Sequence, residues 1–197
     1  MKKNITKEMI IELVTGAVRD KKVVSDLTVR EIAKIVGCSH PNIYNHFSGI
    51  EEIMWEVLGN VFRKMKIESM KAEIEEKKDI DSEKKLKKYI KSWVNFYMEN
   101  PGWYRILWYC EFKGEMPQHI RVIAENAGQN LASFLTSCFP EIDSAQKAKC
   151  ISEMLIAYIH GEVSIVMARR DIVFKSEDLA EKIFKNSLKI VKCFNNQ

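Results

Sequence analysis

Between Ser39 and Phe47 the chain reads S-H-P-N-I-Y-N-H-F, a run in which His40, Asn42, Tyr44, Asn45 and His46 supply hydrogen-bonding groups and no carboxylate. Such a surface is suited to standing against phosphates and base edges, because phenol and imidazole donate to phosphate oxygens and an amide presents donor and acceptor together. Catalytic patterns are missing from the chain. There is no H-E-x-x-H, no G-x-S-x-G, no phosphate-binding glycine loop and no metal-spaced set of Cys and His. His119 and His160 have no acid or nucleophile partner nearby in sequence and are expected to be structural. The expectation is a protein that is not an enzyme and needs no cofactor or metal.

A polar run this short must be held out by neighbouring elements, and the sequence signals them. From about Thr6 to Asp20, Ile10, Leu13, Val14, Ala17 and Val18 recur on one helical face. Thr28 with Glu31 forms a capping-box pattern, Leu27 can staple onto Ile32, and Gly37 suits the left-handed position that ends a helix after Val36. Three residues later Ser39 offers an N-cap and Pro41 falls in the first turn, so a second short helix is predicted from about His40 to Phe47. Ile32, Ala33, Val36, Ile43 and Phe47 form an apolar seam that can close over the first stripe, with Ala33 small where two helices cross. The pattern is a helix-turn-helix. A longer helix follows from Ile50 to about Ile74, a charge-dense stretch covers 71–88 with Ser82 as the next cap, and helices are predicted at about 83–99, 101–112, 117–138, 144–169 and 176–194.

With 197 residues, 46% hydrophobic and 29% charged, the chain can bury a sizeable core, and its 8 Gly and 4 Pro leave helical spacing largely uninterrupted. An all-α fold is predicted. Net charge is +4, of which residues 1–50 carry +3 from eight basic and five acidic side chains. Apolar runs fall short of the roughly 18 residues of a membrane span, and Met1-Lys2-Lys3-Asn4 leads into an amphipathic pattern, so a soluble cytoplasmic protein is expected. Five scattered cysteines, never in a C-x-x-C pair, argue against a disulfide framework or a zinc site.

The segment LTVREIAKIVGCSHPNIYNHF, followed by SGIEEI, resembles the N-terminal DNA-binding motif of the tetracycline-repressor (TetR) family of bacterial transcriptional regulators. The matches are Leu27-Thr28, Ile32-Ala33, Gly37, Ile43-Tyr44, His46-Phe47 and Glu51-Glu52-Ile53, confined to about residues 5–55. The resemblance implies a helix-turn-helix domain over 1–49 and a helical effector-binding and dimerisation domain over 50–197. It further implies that Thr28 and Tyr44 touch phosphates of double-stranded operator DNA, that His40, Pro41 and Asn42 approach base edges, and that His46 lies beside the backbone. Arg30, Ser39 and Asn45 complete the expected DNA-facing set, with Lys2, Lys3, Lys7, Arg30 and Lys34 as sources of electrostatic affinity and hence a moderate salt slope. Two departures stand out: Ile50 occupies a position where the family commonly has Lys, and Lys22–Asp26 lacks the usual aromatic-plus-glycine turn.

Eight of the 19 aromatic residues fall between 93 and 112. Single aromatics at helical spacing usually belong to a core, yet this density can line a cavity for a flat or apolar ligand. Trp93, Tyr97, Trp108, Tyr109, Phe112, Met154 and Tyr158 are the expected effector-binding residues, for a small, largely apolar or aromatic effector. Around Ala157, Gly161, Ser164 and Ala168 small residues repeat at helical spacing beside Ile156, Ile159, Ile165 and Val166. With Leu179, Ile183, Leu188 and Val191 they predict a homodimer through the last two helices, although a purely intramolecular core fits the same residues. The expected function is a ligand-responsive repressor that binds a palindromic operator as a homodimer, its effector tilting the helix 50–74. The alternative is a helical small-molecule-binding dimer with weakened or lost DNA binding.

Overall fold

A computed structural model describes residues 5–21, 27–74, 81–168 and 176–195. Among them the structure is helical without strands: α1 (Lys7–Val18), α2 (Val29–Val36), α3 (His40–Tyr44), α4 (Ile50–Ile74), α5 (Ser82–Glu99), α6 (Pro101–Trp108), α7 (Gln118–Cys138), α8 (Ala145–Ala168) and α9 (Ser176–Asn195). The all-α expectation holds. Two readings of the sequence, the Met1–Asn4 leader and the Lys22–Asp26 approach, lie outside the described residues. The chain forms two compact units, one of Met1–Lys64 with Asn100–Ala124 and one of Met65–Glu99 with Glu125–Gln197.

Local signals set the ends of the first helices. Thr28 Oγ1 accepts the Glu31 N–H at 3.3 Å while Glu31 Oε2 accepts the Thr28 N–H at 2.8 Å, so two otherwise orphaned amides are satisfied reciprocally. Gly37 takes φ +73°, its N–H donates to Lys34 O, and the Cys38 N–H donates to Ala33 O at 2.9 Å. This pair of bonds is a Schellman ending, and a β-carbon would strain that backbone. Ile10, Val14, Val18, Ile32, Ala33, Ile43 and Phe47 are buried, as the apolar seam requires. Leu13 departs from its stripe and is 43% exposed, and Val36 is half-buried.

The first unit also recruits α6, and that docking needs a glycine. The Gly102 N–H donates to Arg19 O at 2.7 Å at the end of α1, and a β-carbon on Gly102 would lie 1.8 Å from Val18 O. Beside it the Trp103 indole donates to Thr15 O at 2.7 Å, and the buried Thr15 hydroxyl donates to Ile11 O at 2.7 Å. Asn60 on α4 donates to both Thr15 Oγ1 and Glu12 Oε2, so α1, α4 and α6 share one polar seam. The segment after α6 docks on the start of α4, where Phe112 stacks on Trp55 with centroids 4.4 Å apart and Trp55 Nε1 donates to Lys113 O. The predicted helix over 101–112 therefore ends at Trp108, because Phe112 is drawn onto Trp55 instead of continuing the turn.

In the second unit α9 packs against both α5 and α8 through buried Leu86, Ile90, Val94, Leu155, Ile159, Val163, Leu179, Ile183 and Val191. Lys87 with Glu181 and Lys192 with Glu83 pair along the α5–α9 seam at 2.7 and 2.6 Å. Ser82 was expected to cap α5. It is instead the first helical residue, and its hydroxyl donates to the Cys138 carbonyl at the end of α7. Of the residues expected to serve a dimer, Ile159, Leu179, Ile183 and Val191 are buried within the chain, whereas Ile165 is 49% exposed and Ala157 and Ala168 lie on the surface. By length and composition alone α8 is apolar enough to cross a membrane, with a mean hydropathy of 1.4 over its most apolar window, yet only 28% of that window is buried.

Gly102→Ala is expected to lower stability by about 2–3 kcal/mol, the range for forcing a group into filled space, and the melting temperature by roughly 4–12 °C. Thermal denaturation followed by circular dichroism checks this; an unchanged melt would mean that α6 does not rest on α1.

Candidate nucleic-acid interface

The polar run found in the sequence is α3 and the turn that leaves it. Ser39 precedes the helix but makes no side-chain cap bond, so its exposed hydroxyl is not spent on the backbone. The helix stops at Tyr44, not at Phe47, because the Asn45, His46 and Phe47 amides tighten onto Asn42 O and Ile43 O. That tightening swings Phe47 into the core, where it is 2% exposed. Tyr44 is 50% exposed and meets the His40 ring edge-on at 5.1 Å. Asn45 Nδ2 donates to Asn42 Oδ1 at 3.2 Å, which orients both amides and leaves the Asn42 NH2 as a donor. Thr28, Arg30, Pro41 and Asn45 are exposed, and His40, Asn42 and His46 half-exposed. All nine residues expected to face DNA therefore reach the surface of the same helix-turn-helix.

What holds this edge in place is the Glu52 carboxylate in the first turn of α4. Its Oε2 accepts the Ser48 N–H at 2.8 Å and the Ser48 hydroxyl at 3.0 Å, and its Oε1 accepts the Lys7 ammonium at 2.8 Å. The same ammonium stands 3.5 Å from Glu56 and 4.9 Å above the Phe47 ring. One carboxylate thus joins the start of α1, the exit from α3 and the start of α4. The Lys7 hydrogen bond, followed by the Ser48 amide, holds the Glu52 carboxyl below the usual glutamate range, and Glu52 in turn raises Lys7.

The arrangement corrects one expectation. Lys7, counted above as a source of affinity for phosphate, is committed to Glu52 and Glu56. Lys2 and Lys3 lie outside the described residues. Arg30 and Lys34 remain, both exposed and without an ion pair among the described residues. At the start of α4 the acids are occupied as well, since Glu51 Oε2 accepts the Lys113 N–H at 3.2 Å. His119 lies 3.1 Å from Glu56, and no group of three or more His, Cys, Asp or Glu able to hold a metal occurs among the described residues.

The seven residues expected to bind an effector are divided between the two units, three in the first and four in the second. In the first unit Trp108 and Tyr109 are 39% and 56% exposed, and Phe112 is spent on Trp55. In the second, Trp93 and Tyr97 are core residues: Trp93 donates to Ser69 Oγ at 2.8 Å and Tyr97 to Met65 Sδ. Met154 is 42% exposed, and the Tyr158 hydroxyl accepts from Asn186 at 2.7 Å. A cavity in this unit is lined by other residues, Tyr89 and Phe134 among them, which the sequence did not single out.

Comparison with known structures places this geometry. No protein-family model and no curated protein matches the chain. Solved structures do. A TetR-family transcriptional regulator from Streptomyces coelicolor is similar over 93% of this chain and 81% of its own, with a TM-score of 0.72 at 12% identity. The TetR-family regulator PfmR from Thermus thermophilus matches 91% of this chain and 97% of its own, with a TM-score of 0.65 at 17% identity. A TetR variant from Acinetobacter baumannii in complex with minocycline covers 98% of this chain and 97% of its own, with a TM-score of 0.64 at 14% identity. The fold is that of TetR-family regulators, an N-terminal helix-turn-helix followed by a helical domain, as the resemblance implied.

A carboxylate whose folded pKa is depressed adds stability above its ordinary pKa of about 4.3, and that contribution is lost as pH falls through the lowered folded value. Glu52→Gln is therefore expected to be less stable than the unaltered protein at neutral pH, with the difference closing in acid. Urea denaturation at a series of pH values reads this directly, and equal stability at pH 7 would remove Glu52 as the clamp.

Proposed function

We propose that the chain is a cytoplasmic DNA-binding transcriptional regulator, a ligand-responsive repressor that binds a palindromic operator as a homodimer. Residues 1–49 are the reading head and 50–197 the sensing and dimerising body. The observation that carries this reading is the exposed, acid-free edge of α3 and its following turn, clamped by Glu52 at the surface of a helix-turn-helix. In this role Thr28 and Tyr44 donate hydroxyls to phosphates, and the Asn42 NH2 donates to a base acceptor beside His40 and Pro41. Ser39, Asn45 and His46 border the backbone, and Arg30 neutralises a phosphate.

A single helix of five residues reads few bases. Doubling it by two-fold symmetry, with half-sites about 34–36 Å apart, supplies the missing contacts. The apolar, little-buried α8 supports such pairing, with Met154, Ala157, Ile165 and Ala168 exposed along it and α9 alongside. Effector binding in the body shifts α4, with a coupling of roughly 1–3 kcal/mol that lowers operator affinity about 5- to 150-fold. Ile50 in place of a lysine, together with the commitment of Lys7 to Glu52, favours a second reading in which the dimer senses a ligand but holds DNA weakly.

Electrophoretic mobility shift against the DNA upstream of its own coding region separates the two readings. Under the first, Asn42→Ala lowers affinity by about 1–3 kcal/mol and relaxes sequence preference, while Arg30→Ala reduces the salt slope by about 1. No retardation by the unaltered protein at low salt would leave only the second. In sedimentation velocity the unaltered chain is expected to be a dimer at micromolar concentration and Ile165→Glu a monomer; a monomeric unaltered chain would sink the symmetric arrangement.

A further inference from the structure

The second compact unit contains a cavity of about 360 Å³, near the lower end of the roughly 300–1,000 Å³ of small-molecule sites, between the later part of α4, the start of α5 and the end of α7. We propose that it binds an amphipathic organic anion, a flat or acyl apolar body ending in a carboxylate or similar acid. The assignment of that anion as effector rests on the regulator reading, whereas the binding itself does not.

Charge carries the argument. Lys66 on α4 and Lys85 on α5 both line the cavity, and among the described residues no carboxylate does. Neither lysine has an ion pair among the described residues, and the glutamates two residues from them, Glu68 and Glu83, are engaged with Lys71 and Lys192, each at 2.6 Å. Two lysines on the lining of one concave site disfavour a cation and gain nothing in charge from a neutral occupant; an anion supplies the counter-charge both lack. Asn130 and Ser133 on α7 add uncharged polar groups beside them, able to hydrogen-bond the same acid. The opposite requirement, a place for an apolar body, is met by Tyr89 and Phe134. Their rings stack at 4.3 Å and 23°, and each is more than nine-tenths buried, so they form a fixed apolar wall. The expectation of a largely apolar or aromatic ligand is thus narrowed to one with an acidic head.

The test uses the full chain and three probes of one shape: 2-naphthoate, its neutral amide and 2-naphthylmethylammonium, each titrated by isothermal calorimetry. Trp93 emission provides a second readout, since its indole is bonded to Ser69, which also lines the cavity. Naphthoate is expected to bind at least about tenfold more tightly than the amide, as a charge-assisted contact implies, and the ammonium not at all. Lys66→Met with Lys85→Met brings naphthoate affinity down to that of the amide, and Lys66→Gln with Lys85→Gln serves where the methionine pair unfolds. Equal affinity for all three probes, an anion preference that survives in the double variant, or no saturable naphthoate binding up to about 5 mM overturns the proposal. Operator retardation by the unaltered chain is read separately without probe. Its absence overturns the regulator reading and leaves the calorimetric result standing.

Discussion

The interaction on which the helix-turn-helix head depends is the set of hydrogen bonds gathered by Glu52. A helix of five residues is too short to hold its own geometry, since nucleating a helical turn is unfavourable without tertiary support. Phe47, turned inward and covered by the Lys7 ammonium, anchors its trailing end, and the Ser48 amide bonded to Glu52 sets the direction in which the chain leaves. The Lys7–Glu52 pair is about one third exposed, so its Coulomb energy is modest in water. Its weight lies in geometry: the same carboxylate satisfies an otherwise unpaired amide at the turn, which solvent would do without fixing an angle.

That clamp has an electrostatic consequence. By consuming Lys7 it withdraws positive charge from the edge that α3 presents, and Ile50 adds none back. Under the proposed function the affinity of the head then leans on Arg30, Lys34 and neutral hydrogen bonds more than on counterion release. A protein built this way discriminates by fit between amides, imidazoles and base edges, and binds indifferent DNA weakly. Doubling through symmetry becomes correspondingly more important, because each head alone has little charge with which to hold on.

The head was legible in the sequence because its signals are local. Thr28 and Glu31 are three residues apart, and Gly37 and Pro41 each act on the turn in which they stand. The length of α3 was overestimated because Phe47 fits a helical seam by spacing, while the tightened turn onto Asn42 O and Ile43 O, with Lys7 from α1 over the ring, carries it into the core outside the helix. The aromatic cluster is divided by packing in a similar way. Spacing brought Trp93, Trp108 and Phe112 into one list, while packing sends Trp93 to Ser69 and Phe112 to Trp55. Nothing around Gly102 announced that its missing side chain lets α6 rest on the carbonyls of α1. The lysine-lined cavity was illegible too, its walls coming from segments around 66, 85 and 133 that only the fold brings together.

The two polar seams divide the labour between specificity and stability. In the first unit, Thr15, Asn60 and Trp103 spend hydrogen bonds on one another, on Glu12 and on backbone, which fixes angles among α1, α4 and α6. In the second, Lys66 and Lys85 line a cavity and have no ion pair among the described residues. On the proposed binding, an anion supplies the counter-charge these lysines lack, and the occupied state of this unit becomes the more stable one by mass action. Such a gap in stability between empty and occupied forms is what a sensing domain needs, for a ligand shifts a conformational equilibrium only by its difference in affinity for the two states.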